Sequence, residues 1–136
     1  MINSNYKEPP EYLDLIGTKI VDAAFQVHRR WGPRLLEHFY QKTLYVDLKK
    51  YGFDVQSEIY LPIVMEKTII DNAYKLYLLV ENEIIIELKA VEELKPIHYQ
   101  QIRTYLKVGN KQLGYLINFN TALIMEGIKR QVMSPG

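Results

Sequence analysis

Apolar residues recur at three- and four-residue spacing in the first part of the chain. Leu13, Ile16, Ile20 and Val27 share one face of a predicted helix that begins at Glu11 and ends near Trp31, before Gly32-Pro33. A second apolar stripe from Leu36 to Leu48 predicts another helix, which Gly52 closes. The chain is therefore expected to open with two consecutive helices.

The period of the pattern then changes to two. Alternation from Val55 to Ile63 predicts an extended segment, and Pro62 marks an edge or a bend in it. Asp71-Asn72 is a turn signal, and Tyr74 to Val80 is typical of a strand. A tight turn at Glu81-Asn82-Glu83 leads into a strand from Ile84 to Ala90. These segments predict three strands that are consecutive in the sequence.

The last third of the chain returns to mixed elements. Pro96 can begin a helix that Gly109-Asn110 ends, Leu113 to Asn118 is a strand, and Met125 to Val132 is a short final element. The order is roughly ααβββαβ with a short C-terminal element. This order predicts an α/β fold with one domain over residues 11–136, preceded by a flexible lead-in over residues 1–10.

Composition limits the function classes. The chain has 136 residues, 48% of them hydrophobic, and a net charge of +1, so nucleic-acid binding through bulk charge is unsupported. It has no cysteine, which excludes disulfides, thiolate metal sites and a cysteine nucleophile. No apolar run approaches the roughly 20 residues that a membrane helix needs. We therefore expect a soluble cytoplasmic protein with no membrane partner.

The segment Ile84 to Lys89 carries the chemistry of interest. Alternate side chains of a strand share a face, so Ile85, Glu87 and Lys89 point one way, and Ile84, Ile86 and Leu88 the other. A carboxylate and an ammonium thus lie side by side at the end of an apolar strand, where charges are costly unless paired or metal-bound. Alone, this Glu-x-Lys pattern is more often a surface ion pair. Metal-assisted phosphodiester cleavage needs the same two groups.

Several motifs, in order, resemble one known family. They are Leu35-Leu36-Glu37-His38-Phe39-Tyr40, Leu78-Leu79-Val80-Glu81, Ile86-Glu87-Leu88-Lys89, His98-Tyr99-Gln100-Gln101 and Gly114-Tyr115-Leu116-Ile117-Asn118. From about Ile16 to Val132 the chain resembles the GxxExxY family, a branch of the PD-(D/E)XK nuclease superfamily. The resemblance implies a restriction-endonuclease-like core, which is a mixed β-sheet flanked by helices.

The resemblance also implies roles for individual residues. Glu87 would be a metal-binding carboxylate, Lys89 the catalytic lysine, and the backbone carbonyl of Leu88 a further metal ligand. Glu37 would be an additional acid and a candidate metal ligand, and Gln101 a polar residue near the metal or phosphate. The implied cofactor is Mg²⁺ or Mn²⁺, and the implied partner is DNA or RNA.

Two positions depart from the family pattern. The glycine that begins the naming motif is Arg34 here, which costs a glycine conformation or leaves a helix start. More seriously, the Asp expected before Leu-Leu-Val-Glu is Tyr77. A neutral phenol, with a pKa of about 10, is a poor ligand for a hard divalent ion. Glu37 is the best compensating ligand because it comes from another element.

The remaining polar and aromatic residues favour structural interpretations. His28, His38 and His98 lack metal-ligand spacing and are expected in surface or packing roles. The 11 tyrosines are more often packing residues than base-stacking ones. Basic residues could nevertheless line one side of the third helix as a phosphate-binding stripe: Lys95, Arg103, Lys107 and Lys111.

The motifs and the two departures from the family pattern leave three functions open. The first, which we favour, is a nuclease-fold protein whose metal-dependent cleavage is impaired by Tyr77. The second is an active Mg²⁺-dependent nuclease that uses Glu37 and Glu87. The third is a non-catalytic module that binds nucleic acid or a protein. The sequence does not decide the substrate or the oligomeric state.

Overall fold

The structure of the protein is a computed structural model that describes residues 8–134. Its elements are four helices, α1 (Glu11–Trp31), α2 (Glu37–Lys50), α3 (Pro96–Val108) and α4 (Ile124–Gly127), and five strands, β1 (Val55–Met65), β2 (Thr68–Val80), β3 (Ile84–Lys89), β4 (Leu113–Asn118) and β5 (Ile128–Val132). The order α1-α2-β1-β2-β3-α3-β4 confirms the predicted one. The short C-terminal element is one turn of helix followed by an edge strand.

The strands form one mixed sheet in the order β1-β2-β3-β4-β5. Only β3 and β4 are parallel, and α3 makes the crossover between them. The other neighbours are antiparallel. The expected mixed sheet with flanking helices is confirmed.

Each face of the sheet buries its own apolar cluster. Ile84, Ile86 and Leu88 pack beneath α1 and α2, whereas Ile85 packs with Ile102 and Leu106 of α3. The predicted alternation along β3 is therefore correct. With helices on both faces, β3 is buried along nearly its whole length, which explains its continuous β-branched run.

One predicted turn is wrong. Asp71-Asn72 lies inside β2, and the chain reverses instead at Glu66-Lys67, between the paired residues Met65 and Thr68. Asn72 has a φ of 53° where the β1–β2 register shifts. Asparagine tolerates this left-handed conformation in bulges as well as in turns, so its turn signal was real but marked a bulge.

The termini and two histidines contribute structural contacts. Residues 1–7 of the predicted lead-in lie outside the described residues, while Pro9 is buried and Glu8 pairs with Arg130 at 3.1 Å. His28 Nε2 lies 2.7 Å from the carbonyl of Thr121, and His98 Nδ1 accepts the N–H of Lys95. None of the helices within residues 8–134 is long and apolar enough to cross a membrane.

Candidate active site

Glu87 and Lys89 form the centre of the site. Both lie on the α3 side of β3, and Lys89 Nζ is 3.4 Å from Glu87 Oε1. The Glu87 side chain is only 3% exposed and that of Lys89 is 14% exposed. The Glu-x-Lys pair is therefore a buried ion pair, which excludes the surface ion pair that the tripeptide alone would favour.

Glu87 is poorly solvated for a carboxylate. Burial raises its pKa to about 7, although the neighbouring Lys89 charge lowers it, and the charge of Glu37 raises it further. Its second oxygen, Oε2, is buried and has no hydrogen-bond partner among the described residues. Such an orphaned oxygen leaves Glu87 able to accept a proton or a cation.

Tyr77 lies just beyond the end of the β2–β3 ladder. The β2–β3 ladder pairs Leu79 with Ile85 and Leu78 with Ile86. The ladder stops at this pair, and an extension of its register by one residue would set Tyr77 opposite Glu87. The half-buried Tyr77 is thus the residue of β2 that comes closest in register to Glu87.

Helix α2 reaches the same place through Gln41. The buried Gln41 donates its amide N–H to the carbonyl of Tyr77 at 3.4 Å. Glu37 lies one helical turn earlier on the same face of α2. Its charge acts on Glu87, so the structure brings Glu37 to the site as an electrostatic neighbour.

Helix α3 borders the candidate site on the side opposite to α2. Burial raises the pKa of the Tyr105 phenol, and the charge of Glu87 raises it further, which places Tyr105 near the carboxylate. Gln101 lies one turn before Tyr105, and its Oε1 is buried without a hydrogen-bond partner among the described residues. Gln101 therefore approaches the site from the side on which Tyr105 lies.

The carbonyl of Leu88 is directed towards β2. Lys89 presents its own carbonyl to β4, where Phe119 N–H donates to it at 2.9 Å. Consecutive carbonyls of a strand point in opposite directions. Since β2 pairs with β3 only as far as Ile86, the Leu88 carbonyl lies beyond the last paired residues.

Asn118, at the end of β4, forms side-chain hydrogen bonds to the backbone of the segment that follows Lys89. Its side chain accepts the N–H groups of Val91 and Asn120 and donates to the carbonyl of Val91. The sequence signal was a polar residue that ends an otherwise apolar buried strand. The role of Asn118 depends on which loop packs against its side chain, so the sequence did not predict that role. The sequence did not predict the positions of Gln41 and Tyr105 at the site either.

The loop between α1 and α2 accounts for the structural roles of Tyr40 and Arg34. Tyr40 donates its hydroxyl to the carbonyl of Gly32, accepts the N–H of Leu35, and stacks on Phe119 at 4.5 Å. Arg34 has a φ of 72°. Arg34 therefore keeps the left-handed conformation that a glycine would adopt freely. Of the two interpretations of this substitution, the structure supports the cost of a glycine conformation and not a helix start.

The basic residues of α3 lie away from the site. Arg103 and Lys107 do share one side of the helix, where they line a shallow cavity with Met133. At 100° per residue this side is opposite to Gln101 and Tyr105. The stripe expected from the sequence therefore does not face Glu87.

The donor set does not suit a hard divalent ion. Among residues 8–134, no three His, Asp or Glu side chains are grouped closely enough to share a metal. Glu87 offers one oxygen without a partner among the described residues, but an ammonium lies 3.4 Å from its other oxygen. Magnesium prefers several oxygen ligands in near-octahedral geometry.

Comparison with protein families supports the fold. The profile described as the PD-(D/E)XK nuclease superfamily matches residues 14–131. The chain belongs to this superfamily. Comparison with curated proteins and with solved structures finds no match. The mixed five-stranded sheet with flanking helices is consistent with the restriction-endonuclease-like fold of the PD-(D/E)XK superfamily.

Proposed function

We propose that this protein is a nucleic-acid-binding member of the PD-(D/E)XK superfamily, of the GxxExxY branch, in which metal-dependent phosphodiester cleavage is impaired. The observation that carries the proposal is the β2–β3 ladder, which ends at Leu78 and Ile86 and whose register, extended by one residue, would set Tyr77 opposite Glu87. A phenol contributes little to holding Mg²⁺ or Mn²⁺, which prefer carboxylate oxygens. The remaining site keeps Lys89, whose ammonium can stabilise charge on a phosphate.

A second candidate is an active nuclease in which Glu37 compensates for the missing acid. The effect of the Glu37 charge on Glu87 and the orphaned Oε2 of Glu87 favour it. In this case Glu87, the Leu88 carbonyl and Glu37 would hold the ion. A bound ion would supply Lewis-acid polarisation of the phosphate and activation of water.

A cleavage assay separates these functions. Wild type, Tyr77→Asp, Tyr77→Phe and Tyr77→Asp/Lys89→Ala would be incubated with single- and double-stranded DNA and RNA, with Mg²⁺ or Mn²⁺. We expect Tyr77→Asp to gain at least roughly 100-fold over wild type, and Tyr77→Phe to gain nothing, because only the carboxylate supplies charge to the site. The double variant should lose the gain.

Three results would count against the proposal. Wild-type cleavage that disappears in Glu37→Gln and in Lys89→Ala would establish the active nuclease instead. Equal activity of Tyr77→Asp and Tyr77→Phe would show that the size of residue 77, not its charge, controls the site. Wild type that neither cleaves nor binds nucleic acid at low salt would favour a protein-interaction module.

A further inference from the structure

A cavity of about 390 Å³ lies between α2 and the edge strand β1. This volume falls within the range of small-molecule sites. The residues that bear on its chemistry come from both elements: His38, Gln41, Lys42, Tyr45, Ser57 and Glu58.

The cavity adjoins the candidate active site. Gln41 lines it and also donates to the carbonyl of Tyr77. Glu58 lines it too, and Glu58 lies between Ser57 and Ile59, whose partners Leu78 and Leu76 flank Tyr77. The cavity therefore lies next to Tyr77, the residue of β2 that comes closest in register to Glu87.

The strand that forms the cavity wall is irregular at this level. Glu58 has a φ of 56°, which side chains other than glycine rarely adopt. Val55 packs on the α1–α2 side of the sheet, yet Ile59 packs on the α3 side, so the alternation of β1 reverses around Glu58. Strained residues of this kind concentrate at ligand sites.

The lining offers three kinds of contact. Lys42 and His38, one helical turn apart on α2, present an exposed ammonium and an imidazole. The Tyr45 ring provides an aromatic wall. Gln41 is buried, and its side-chain amide donates one N–H to the carbonyl of Tyr77.

The negative charge at the cavity is partly balanced. Glu58 lies 3.8 Å from the ammonium of Lys75. That ammonium also sits 5.2 Å from the centre of the Tyr77 ring. Lys75 thus links the cavity wall to Tyr77, and it reduces the repulsion that Glu58 would exert on an anion.

We propose that this cavity binds a single unpaired nucleotide unit, with the base against Tyr45 and the phosphate at Lys42 and His38. The proposal rests on the proposed function and specifies it, since a base can lie on a tyrosine ring only when it is unpaired. Gln41 accepts a hydrogen bond from the edge of the base. The nucleotide comes either from a single strand or from a free mononucleotide.

Fluorescence anisotropy with a labelled single-stranded DNA octamer at low salt tests the proposal on the full chain. Lys42→Met removes the phosphate contact at an exposed position, and Ser57→Trp fills the cavity from the exposed face of β1. Lys49→Met is the matched control, because Lys49 lies 5.5 Å from the Tyr45 ring but does not line the cavity. Adenosine 5′-monophosphate, followed by amide chemical shifts, is the free-nucleotide arm.

We expect Lys42→Met and Ser57→Trp to weaken octamer binding by at least roughly tenfold, and Lys49→Met by less than about twofold. Amide shifts caused by adenosine 5′-monophosphate should cluster at residues 38–46 and 57–58. Shift changes without octamer binding would assign the cavity to a free nucleotide and overturn the proposed function alone. Octamer binding that is equal in all four proteins, or nucleotide shifts located elsewhere, would overturn the cavity proposal and leave the proposed function standing.

Discussion

At the scale of single residues, Glu87 carries the largest electrostatic cost in the site. Its side chain is buried, one oxygen has no partner within residues 8–134, and the charge of Lys89 offsets part of the lost solvation. An apolar residue would stabilise this strand better, because an ionised carboxylate inside a protein is expensive. The buried Glu87–Lys89 pair therefore lowers the stability of the folded protein, as the residues of functional sites often do.

This cost predicts a pH dependence of folding. The folded state raises the pKa of Glu87 from 4.5 to about 7, so between these values the native protein holds a proton that the unfolded chain has lost. The unfolding free energy should therefore fall as pH rises from 4.5 to 7, by roughly 3 kcal/mol from this group. Urea unfolding of wild type and Glu87→Gln across this range, without metal, isolates the effect, and parallel pH profiles would contradict it.

The backbone conformation of Arg34 is a second feature whose cost in stability can be measured. A φ of 72° disfavours any side chain with a Cβ, and Arg34→Gly should raise the unfolding free energy by about 0.5–1 kcal/mol after the entropy cost of glycine. Arg34→Ala is the control, since it removes the charge and keeps the strain. A gain of the same size in both variants would show that charge, not backbone conformation, is responsible.

Residue identities in the centre of the site could be predicted from the sequence, whereas the surroundings could not. Strand alternation alone puts Glu87 and Lys89 on one side of β3, because it depends on local geometry. Gln41 and Tyr105 meet this pair only through the packing of α2 and α3 on opposite faces of the sheet. No local pattern carries that information, and the roles of Glu37 and Gln101 stay predictions.

At the scale of elements, the loop after β3 depends on Asn118. The buried side chain makes three hydrogen bonds to the backbone of Val91 and Asn120. Asn118→Ala should lower the unfolding free energy by roughly 2–3 kcal/mol, because these backbone groups lose their partner. It should also speed amide exchange at Val91.

Asn120→Ala is the matched control for this loop. Asn120 uses its backbone N–H in the same network, so truncation of its side chain should cost less than about 0.5 kcal/mol. Urea denaturation and hydrogen exchange measure both variants. Equal destabilisation by the two substitutions would show that the loop is held by other contacts.

The elements themselves were largely predictable, with one instructive failure. Helix periodicity, Gly32-Pro33 and Gly52 marked the ends of α1 and α2 because these signals are local. The hairpin between β1 and β2 was placed wrongly, since the tip at Glu66-Lys67 lacks turn residues and Asn72 supplies a bulge instead. Strand pairing, which decides between the two, is not a local property.

At the scale of the whole molecule, the residues that stabilise the fold differ from the residues that form the candidate site. Residues 8–134 form the expected fold of the superfamily, a mixed sheet of five strands with helices on both faces. Two apolar clusters, one on each face, stabilise this architecture without help from the site. A substitution such as Tyr77 can therefore change the chemistry while the fold remains.

The central claim is that Tyr77 deprives the site of metal affinity. Calorimetric titration with Mn²⁺ of wild type, Tyr77→Asp, Tyr77→Phe and Tyr77→Asp/Glu87→Gln measures this without any nucleic acid. The account predicts at least roughly tenfold tighter binding by Tyr77→Asp, about 1.4 kcal/mol, and loss of that gain in the double variant. Tight binding by wild type that equals Tyr77→Asp would contradict the account.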